Sequence, residues 1–419
     1  MKKMLLSAVA IFLLAFSLYP PREAAAIPAF ARQTGMACNT CHFQHYPSLN
    51  AFGRAFKSSG YTMVGGQSMV EGDMLSIPAV LNASLVTKIR YQKTNGDVNT
   101  KATNEGEIQF PDEAALLLGG RVGEHIGFLL EASLKDGDSN FASFKMPITY
   151  NVMETDLSVI PFTTDAAGVS YGFELLNTGA QRTSRPLEHR KDISAAQYIE
   201  PSGDGDAAAT GVSFVVSRSL YFFNYTPFYA DHGDSIAGPF IHYFRAAFTP
   251  TYAGWDLGIG AQYWTGTARQ GASQSAAVHK HADAWAIDAQ AQGMVGSYPL
   301  GVYLSYANAD KSGSLTAGTK DNNIFNSEST NDDKTAWAVM AELGVVPNRL
   351  TAAIGYRGGK NGNPNGDGKD TDNATFLALA YNATQNFQIQ LDQSWYSGDA
   401  NDGSATGDSL TTLMIFAAF

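Results

Sequence analysis

The sequence predicts an all-β fold: an outer-membrane antiparallel β-barrel of about 16 strands behind a small, mostly helical N-terminal segment. Three observations predict it. From about Val80 onward apolar and polar residues alternate at period two, as strands do when their two faces meet different solvents. Tight connections alternate with long polar ones, the asymmetry of a barrel with one set of turns and one set of loops. The last strand places Leu413, Ile415 and Ala417 on one face with a terminal Phe419, which resembles an outer-membrane insertion signal.

The N-terminus reads as an export leader. Lys2 and Lys3 precede an apolar run from Met4 to Tyr19, and Ala24 and Ala26 supply the small-x-small cleavage pattern, so residues 1–26 are expected to be a signal peptide and the mature chain to begin at Ile27. The run is shorter than the ~20 residues a helical span needs. No later stretch offers one.

Composition bounds the rest. Across 419 residues, 44% are hydrophobic yet never gather into long blocks; aromatics make up 11%, glycines number 41 and cysteines only two. Many short strands and no disulfide framework are implied. The formal charge is −11, and losing Lys2, Lys3 and Arg22 against Glu23 removes a net +2, leaving −13. Such a field repels nucleic acid and gathers cations.

The chemistry is concentrated in Cys38-Asn39-Thr40-Cys41-His42, the C-x-x-C-H signature of covalent c-type haem attachment. The two thiols add to the vinyl groups of one macrocycle, and the adjacent imidazole of His42 becomes the proximal iron ligand. A thioredoxin-like pair would need a βαβ context, and a zinc site two further ligands. Neither lies nearby. One covalent haem c per chain is therefore expected.

For the sixth ligand, Met63, Met69 and Met74 follow the motif, and a thioether there raises the reduction potential relative to a second imidazole. Met69 is the choice, with Met63 and Met74 as alternatives. His45 lies only three residues beyond His42 and reaches the opposite haem face with difficulty. It reads as a supporting residue. Met36, before the first thiol, has the same problem.

Around the motif stand Ile27-Pro28-Ala29-Phe30-Ala31-Arg32-Gln33-Thr34-Gly35, then Pro47, Leu49, Asn50, Phe52-Gly53-Arg54, Phe56-Lys57 and Gly60-Tyr61. This stretch resembles the N-terminal cytochrome of the fused monohaem cytochrome-porins, a family of outer-membrane proteins in iron-oxidising bacteria. The similarity is close over Ile27 to Met63, and beyond it only the general barrel pattern is shared. The resemblance implies ferrous iron outside the cell as electron donor and a periplasmic c-type cytochrome as acceptor, hence an iron(II):cytochrome c oxidoreductase. The competing readings are a haem-bearing diffusion porin and a conduit delivering electrons outward.

Residues 27–78 form the cytochrome segment in this reading and 79–419 the barrel. Phe387, Ile389 and Leu391 alternate with Gln388, Gln390 and Asp392; Leu81, Ala83, Leu85, Ile89 and Tyr91 alternate with Asn82, Ser84, Lys88, Arg90 and Gln92. Similar dyads run from Ile126 to Lys135, Leu257 to Trp264, Trp285 to Gln292 and Leu350 to Arg357. Short links such as Val346-Pro347-Asn348-Arg349 alternate with polar loops near residues 312–334, 360–373 and 397–408. The stretch from Phe141 to Asp231 resists division into strands.

Both termini are expected in the periplasm, which requires an even strand number, with the outer-membrane lipid around the barrel. Fifty-odd residues are roughly too few for an independent core, so the cytochrome segment is expected to dock in or under the lumen. Acidic loop residues Asp136, Asp138, Asp332, Asp333, Asp367, Asp370 and Asp372 are candidates to concentrate cations. Glu131, Asp288, Glu342 and Asp392 are expected to face the lumen.

Overall fold

The computed structural model describes residues 29–97, 102–135, 141–180, 187–201, 207–233, 238–270, 278–313, 322–326, 332–363, 366–401, 403 and 407–419. The expected leader, Asp136 and Asp138 lie outside them.

After a two-stranded hairpin, β1 (Met69–Gly72) and β2 (Leu75–Pro78), the chain builds one closed antiparallel barrel running from β3 (Ala83–Thr94) to β20 (Ser409–Ala418). The seam is sealed by β20 against β3, where Leu85 N–H donates to the Phe419 carbonyl and Phe419 N–H returns to Leu85, at 2.7 and 2.9 Å. The barrel has 16 strand positions. Two of them are shared: β6 (Ser143–Lys145) and β7 (Ile148–Val152) both lie between β5 (Ile126–Ser133) and β8 (Thr155–Thr164), and β11 (Ile241–Phe248) and β12 (Thr251–Tyr252) both pair with β13 (Trp255–Gln270).

Alternation explains the strands. On β19 (Phe387–Ser397) Gln388, Gln390 and Asp392 are buried while Phe387 and Leu391 are exposed; on β14 (Val278–Val295) Asp288 and Gln290 are buried while Trp285 and Ile287 are exposed. A soluble fold would hide the apolar set. This one turns it outward, as hydrocarbon demands, and points amides and carboxylates into the lumen. Among the described residues no helix is long and apolar enough to cross a membrane.

The region that resisted segmentation explains itself. Met146 and Pro147 interrupt one strand position between β6 and β7, and prolines sit inside β8 and β10 (Tyr221–Tyr229) at Pro161 and Pro227. Proline cannot donate to a ladder and blurs the pattern. The described parts of the long connection between β8 and β9 (Ala209–Arg218), residues 165–180, 187–201 and 207–208, then fold inward. Its helix Ala195–Ile199 joins Trp264, Tyr243 and Phe325 in one buried cluster, and its Leu187 and Ile193 pack on Met340 and Phe376 from the barrel wall. The same loop supplies Glu174, which with Asp288 holds the fully buried Arg245, at 2.9 and 2.5 Å. Two carboxylates on one guanidinium offset the desolvation that a single buried charge could not.

The N-terminal segment is partly helical: α1 (Ala29–Thr34), α2 (Cys38–Cys41) and α3 (Ala51–Ser58), followed by the β1–β2 hairpin, which alternation in so short a run did not reveal.

Candidate functional site

One helical turn, α2, carries both cysteines. At i and i+3 they lie on one face, one above the other. The helix stops at His42, whose N–H still donates to the Cys38 carbonyl at 2.9 Å while its own backbone is extended, φ −110° and ψ 137°. The chain turns at Pro47 and comes back antiparallel, pairing Leu49 with His42. Phe43 N–H donates to the Ser48 carbonyl at 2.8 Å and Asn50 N–H to the Cys41 carbonyl at 3.0 Å.

Asn50 joins this return strap to the next helix. Its side-chain oxygen caps α3 by accepting from Gly53 N–H at 2.9 Å, and its Nδ2 donates to the Thr40 carbonyl at 3.0 Å. An asparagine at the cap satisfies a helix-end donor that would otherwise be orphaned. Its second contact clamps the middle of the motif.

His42 Nδ1 lies 3.3 Å from the Ser48 carbonyl. A carbonyl only accepts, so Nδ1 carries a proton; in the neutral ring that leaves the lone pair on Nε2, the tautomer that a metal-ligating imidazole needs. Tyr46 meets the ring edge-on at 5.2 Å and itself stacks on Phe416 of β20 at 5.6 Å. The imidazole is thus braced against the barrel wall. Burial pushes the Cys38 thiol up to about 11, against a smaller opposing backbone hydrogen bond, and burial raises Cys41 as well.

The donor set fits a c-type haem: two thiols on one face of a single turn, with a neutral imidazole anchored immediately after them. The Ser48 hydroxyl adds an observation of its own. It is buried and has no hydrogen-bond partner among the described residues, and a buried orphan hydroxyl beside the motif is one mark of a functional site.

The distal candidates are separated by their placement. Met63 is exposed, on a stretch whose carbonyl accepts from Gln33 Nε2 at 2.7 Å; Met69 is half-buried on β1; Met74 is fully exposed at the hairpin tip. Met36 is exposed as well. His45 is buried with Nε2 at 2.8 Å from the Glu342 carboxylate and Nδ1 at 3.3 Å from the Tyr46 carbonyl. Both of its ring nitrogens are engaged by protein.

The segment is a plug in the end of the barrel that bears the short turns. Arg54 forms two 2.6 Å hydrogen bonds to the two oxygens of Asp256, at the start of β13. Ser58 donates to Asp156 of β8 at 2.9 Å, and Asn39 N–H reaches Gln385 in the turn before β19 at 3.3 Å. Fully buried Gln33 donates to the Tyr61 carbonyl at 2.6 Å and accepts from Arg121 N–H, at the end of β4 (Glu107–Gly123), at 3.0 Å. From the inward loop, Asn177 holds Leu49.

The lumenal expectations are met by Asp288, Glu342 and Asp392, all buried; Glu131 is half-buried. The outer acids divide. Asp372 is bound to Arg357 at 2.7 Å and to the Tyr198 hydroxyl at 3.0 Å, and Asp370 to Lys360 at 3.0 Å. Asp333 accepts from Lys311 N–H at 3.0 Å and Asp367 from Lys369 N–H at 3.0 Å. Asp310, unremarked in the sequence, is pushed above the usual carboxylate range by burial and then by Asp283 and Asp333. Asn177 and Gly53 also escaped sequence reasoning as site residues. Only the Asn50-x-x-Gly53 cap spacing offered a signal.

No family model and no curated protein matches the chain. Among solved structures it is similar to OmpF of Salmonella typhi in complex with daunomycin, with 13% identity, a TM-score of 0.51, and coverage of 84% of this chain and 100% of that one. It is also similar to the high-pH structure of OprB of Pseudomonas putida, with 12% identity, a TM-score of 0.53, and coverage of 81% and 94%. These likenesses show an outer-membrane β-barrel fold and support an outer-membrane location.

Proposed function

We propose that the chain is an outer-membrane electron-transfer protein that takes electrons from extracellular ferrous iron and passes them to a periplasmic c-type cytochrome. The observation that carries the proposal is the C-x-x-C-H turn, with its imidazole in the ligating tautomer, built into a plug that closes one mouth of the barrel. Cys38 and Cys41 would hold the haem through thioethers, His42 would ligate its iron through Nε2, and one of Met63, Met69 and Met74 would supply the second ligand. When bound, the haem supplies a one-electron redox centre.

The chain's own residues do the rest. Ser48 and Leu49 orient the imidazole; the outward apolar band fixes the centre at a bilayer. Asp283, Asp310 and Asp333 crowd negative charge at the long-loop end, where a divalent cation arrives. Each ferrous ion gives up one electron and leaves as ferric ion. The short-turn end, with the plug and the C-terminus, is the periplasmic side in this reading.

The barrel itself favours a second reading, a diffusion porin with a haem-bearing gate. Against it, the helix Ala195–Ile199 and residues Leu187 and Ile193 of the inward connection are buried against the barrel wall, and Arg54 and Gln33 tie the plug to strand ends at the short-turn mouth. Mixing purified oxidised protein with ferrous iron while recording the haem spectrum tests the proposal. Reduction in wild type and none in a His42→Ala variant is expected; no reduction at any pH where ferrous iron stays soluble overturns it.

A further inference from the structure

The strap that orients His42 is itself held from outside the plug. Leu49 is buried between Ser48, whose carbonyl accepts from His42 Nδ1–H, and Asn50, whose side-chain amide donates to the Thr40 carbonyl and whose backbone N–H donates to the Cys41 carbonyl. Leu49 presents one backbone N–H and one C=O to the barrel. Asn177 of the inward loop meets both: its Oδ1 accepts from Leu49 N–H at 2.8 Å and its Nδ2 donates to the Leu49 carbonyl at 2.9 Å. A primary amide is the side chain that can replace a strand neighbour in this way, because it offers one acceptor and one donor side by side.

Asn177 is in turn rigid. It is 1% exposed, and its N–H donates to Gln290 Oε1 on β14 at 2.7 Å. The next residue, Thr178, donates its hydroxyl to Asp288 at 2.5 Å, and Asp288 is half of the clamp on Arg245. The line from barrel wall to imidazole is therefore continuous: Arg245, Asp288, Thr178, Asn177, Leu49, Ser48, His42.

We propose that Asn177 is a positioning residue for the proximal histidine, through which the barrel's inward loop sets the redox centre's potential. The inference rests on the haem reading above. The mechanism is the strength of the bond from Nδ1–H to the Ser48 carbonyl. A firm bond gives the imidazole more anionic character and favours ferric iron; a slack strap weakens the bond and favours ferrous iron.

The test compares full-length Asn177→Ala and Asn177→Asp with wild type and with Gln197→Ala, a control on the same loop whose side chain contacts Glu200. Asp keeps the acceptor for Leu49 N–H and loses the donor. Potentiometric titration should move Asn177→Ala upward, with the reduced-to-oxidised ratio at fixed potential rising at least about threefold, near 30 mV at 59 mV per tenfold for one electron. Asn177→Asp should fall between Ala and wild type, and Gln197→Ala should match wild type. Hydrogen exchange at the Leu49 amide should accelerate in Asn177→Ala, in protein carrying haem or prepared without it. Wild type lacking haem would overturn the underlying reading while leaving the exchange result as evidence on the clamp. Haem-loaded Asn177→Ala with an unchanged potential would overturn the inference alone.

Discussion

Gly53 lies directly against Cys41: a Cβ on residue 53 would sit 2.1 Å from the Cys41 carbonyl oxygen and 3.0 Å from its carbonyl carbon. The helix α3 is the seat on which the motif rests, and the contact is backbone to backbone, so neither side can rotate away. Gly53→Ala is expected to push the motif off its seat, at a cost of roughly 1–3 kcal/mol for overpacking, and to lower haem incorporation. Gly66→Ala, where an added Cβ meets nothing within 4 Å, should leave it unchanged. Haem absorbance per mole of protein reads the difference.

In the proposed function two thioethers, at Cys38 and Cys41, would make the haem covalent. Denaturing gels stained for haem should show one haem-bearing band at the mass of the chain in wild type and a strongly weakened one in Cys38→Ala. Equal staining would remove the attachment at Cys38 from the account.

A thioether ligand leaves a sulfur-to-iron charge-transfer band in the oxidised spectrum. Among single changes to alanine at Met63, Met69 and Met74, that band should vanish in one variant and survive in the other two. Its survival in all three would exclude every one of these methionines as the distal ligand.

Among the contacts that fasten the plug is Arg54 on Asp256, a two-pronged pair with side chains 8% and 15% exposed. Arg54→Ala leaves the carboxylate partly buried and uncompensated, at a cost of about 2–3 kcal/mol. Protease cleavage within residues 29–78 should speed up correspondingly, and a double-mutant cycle with Asp256→Ala should return most of the loss as coupling. Additive effects would show that the pair does not hold the plug.

Much of the barrel was legible because lipid and lumen differ so strongly: Gln388, Gln390 and Asp392 against Phe387, Ile389 and Leu391 can be read from the residue types alone. The inward loop was not. Leu176 and Ile199 are buried by strands far away in sequence, and nothing local announces that. In the site, the covalent signature and its following histidine were plain from spacing. The supports were hidden, because Ser48 acts through its carbonyl, Gly53 through the side chain it lacks, and Asn177 across 128 residues to Leu49. The role of Asp372 shows the reverse error. An acidic loop residue looked like a cation lure, and it is tied to Arg357 and Tyr198.

In the proposed function, electrons from ferrous iron on one side of a membrane reach a cytochrome on the other through this chain. Haem-loaded protein in lipid vesicles with oxidised cytochrome c sealed inside, given ferrous iron outside, measures it directly. The account predicts reduction of the enclosed cytochrome with wild type and none with a His42→Ala variant inserted to the same density. An enclosed cytochrome that stays oxidised with wild type, or is reduced equally with the variant, would contradict it.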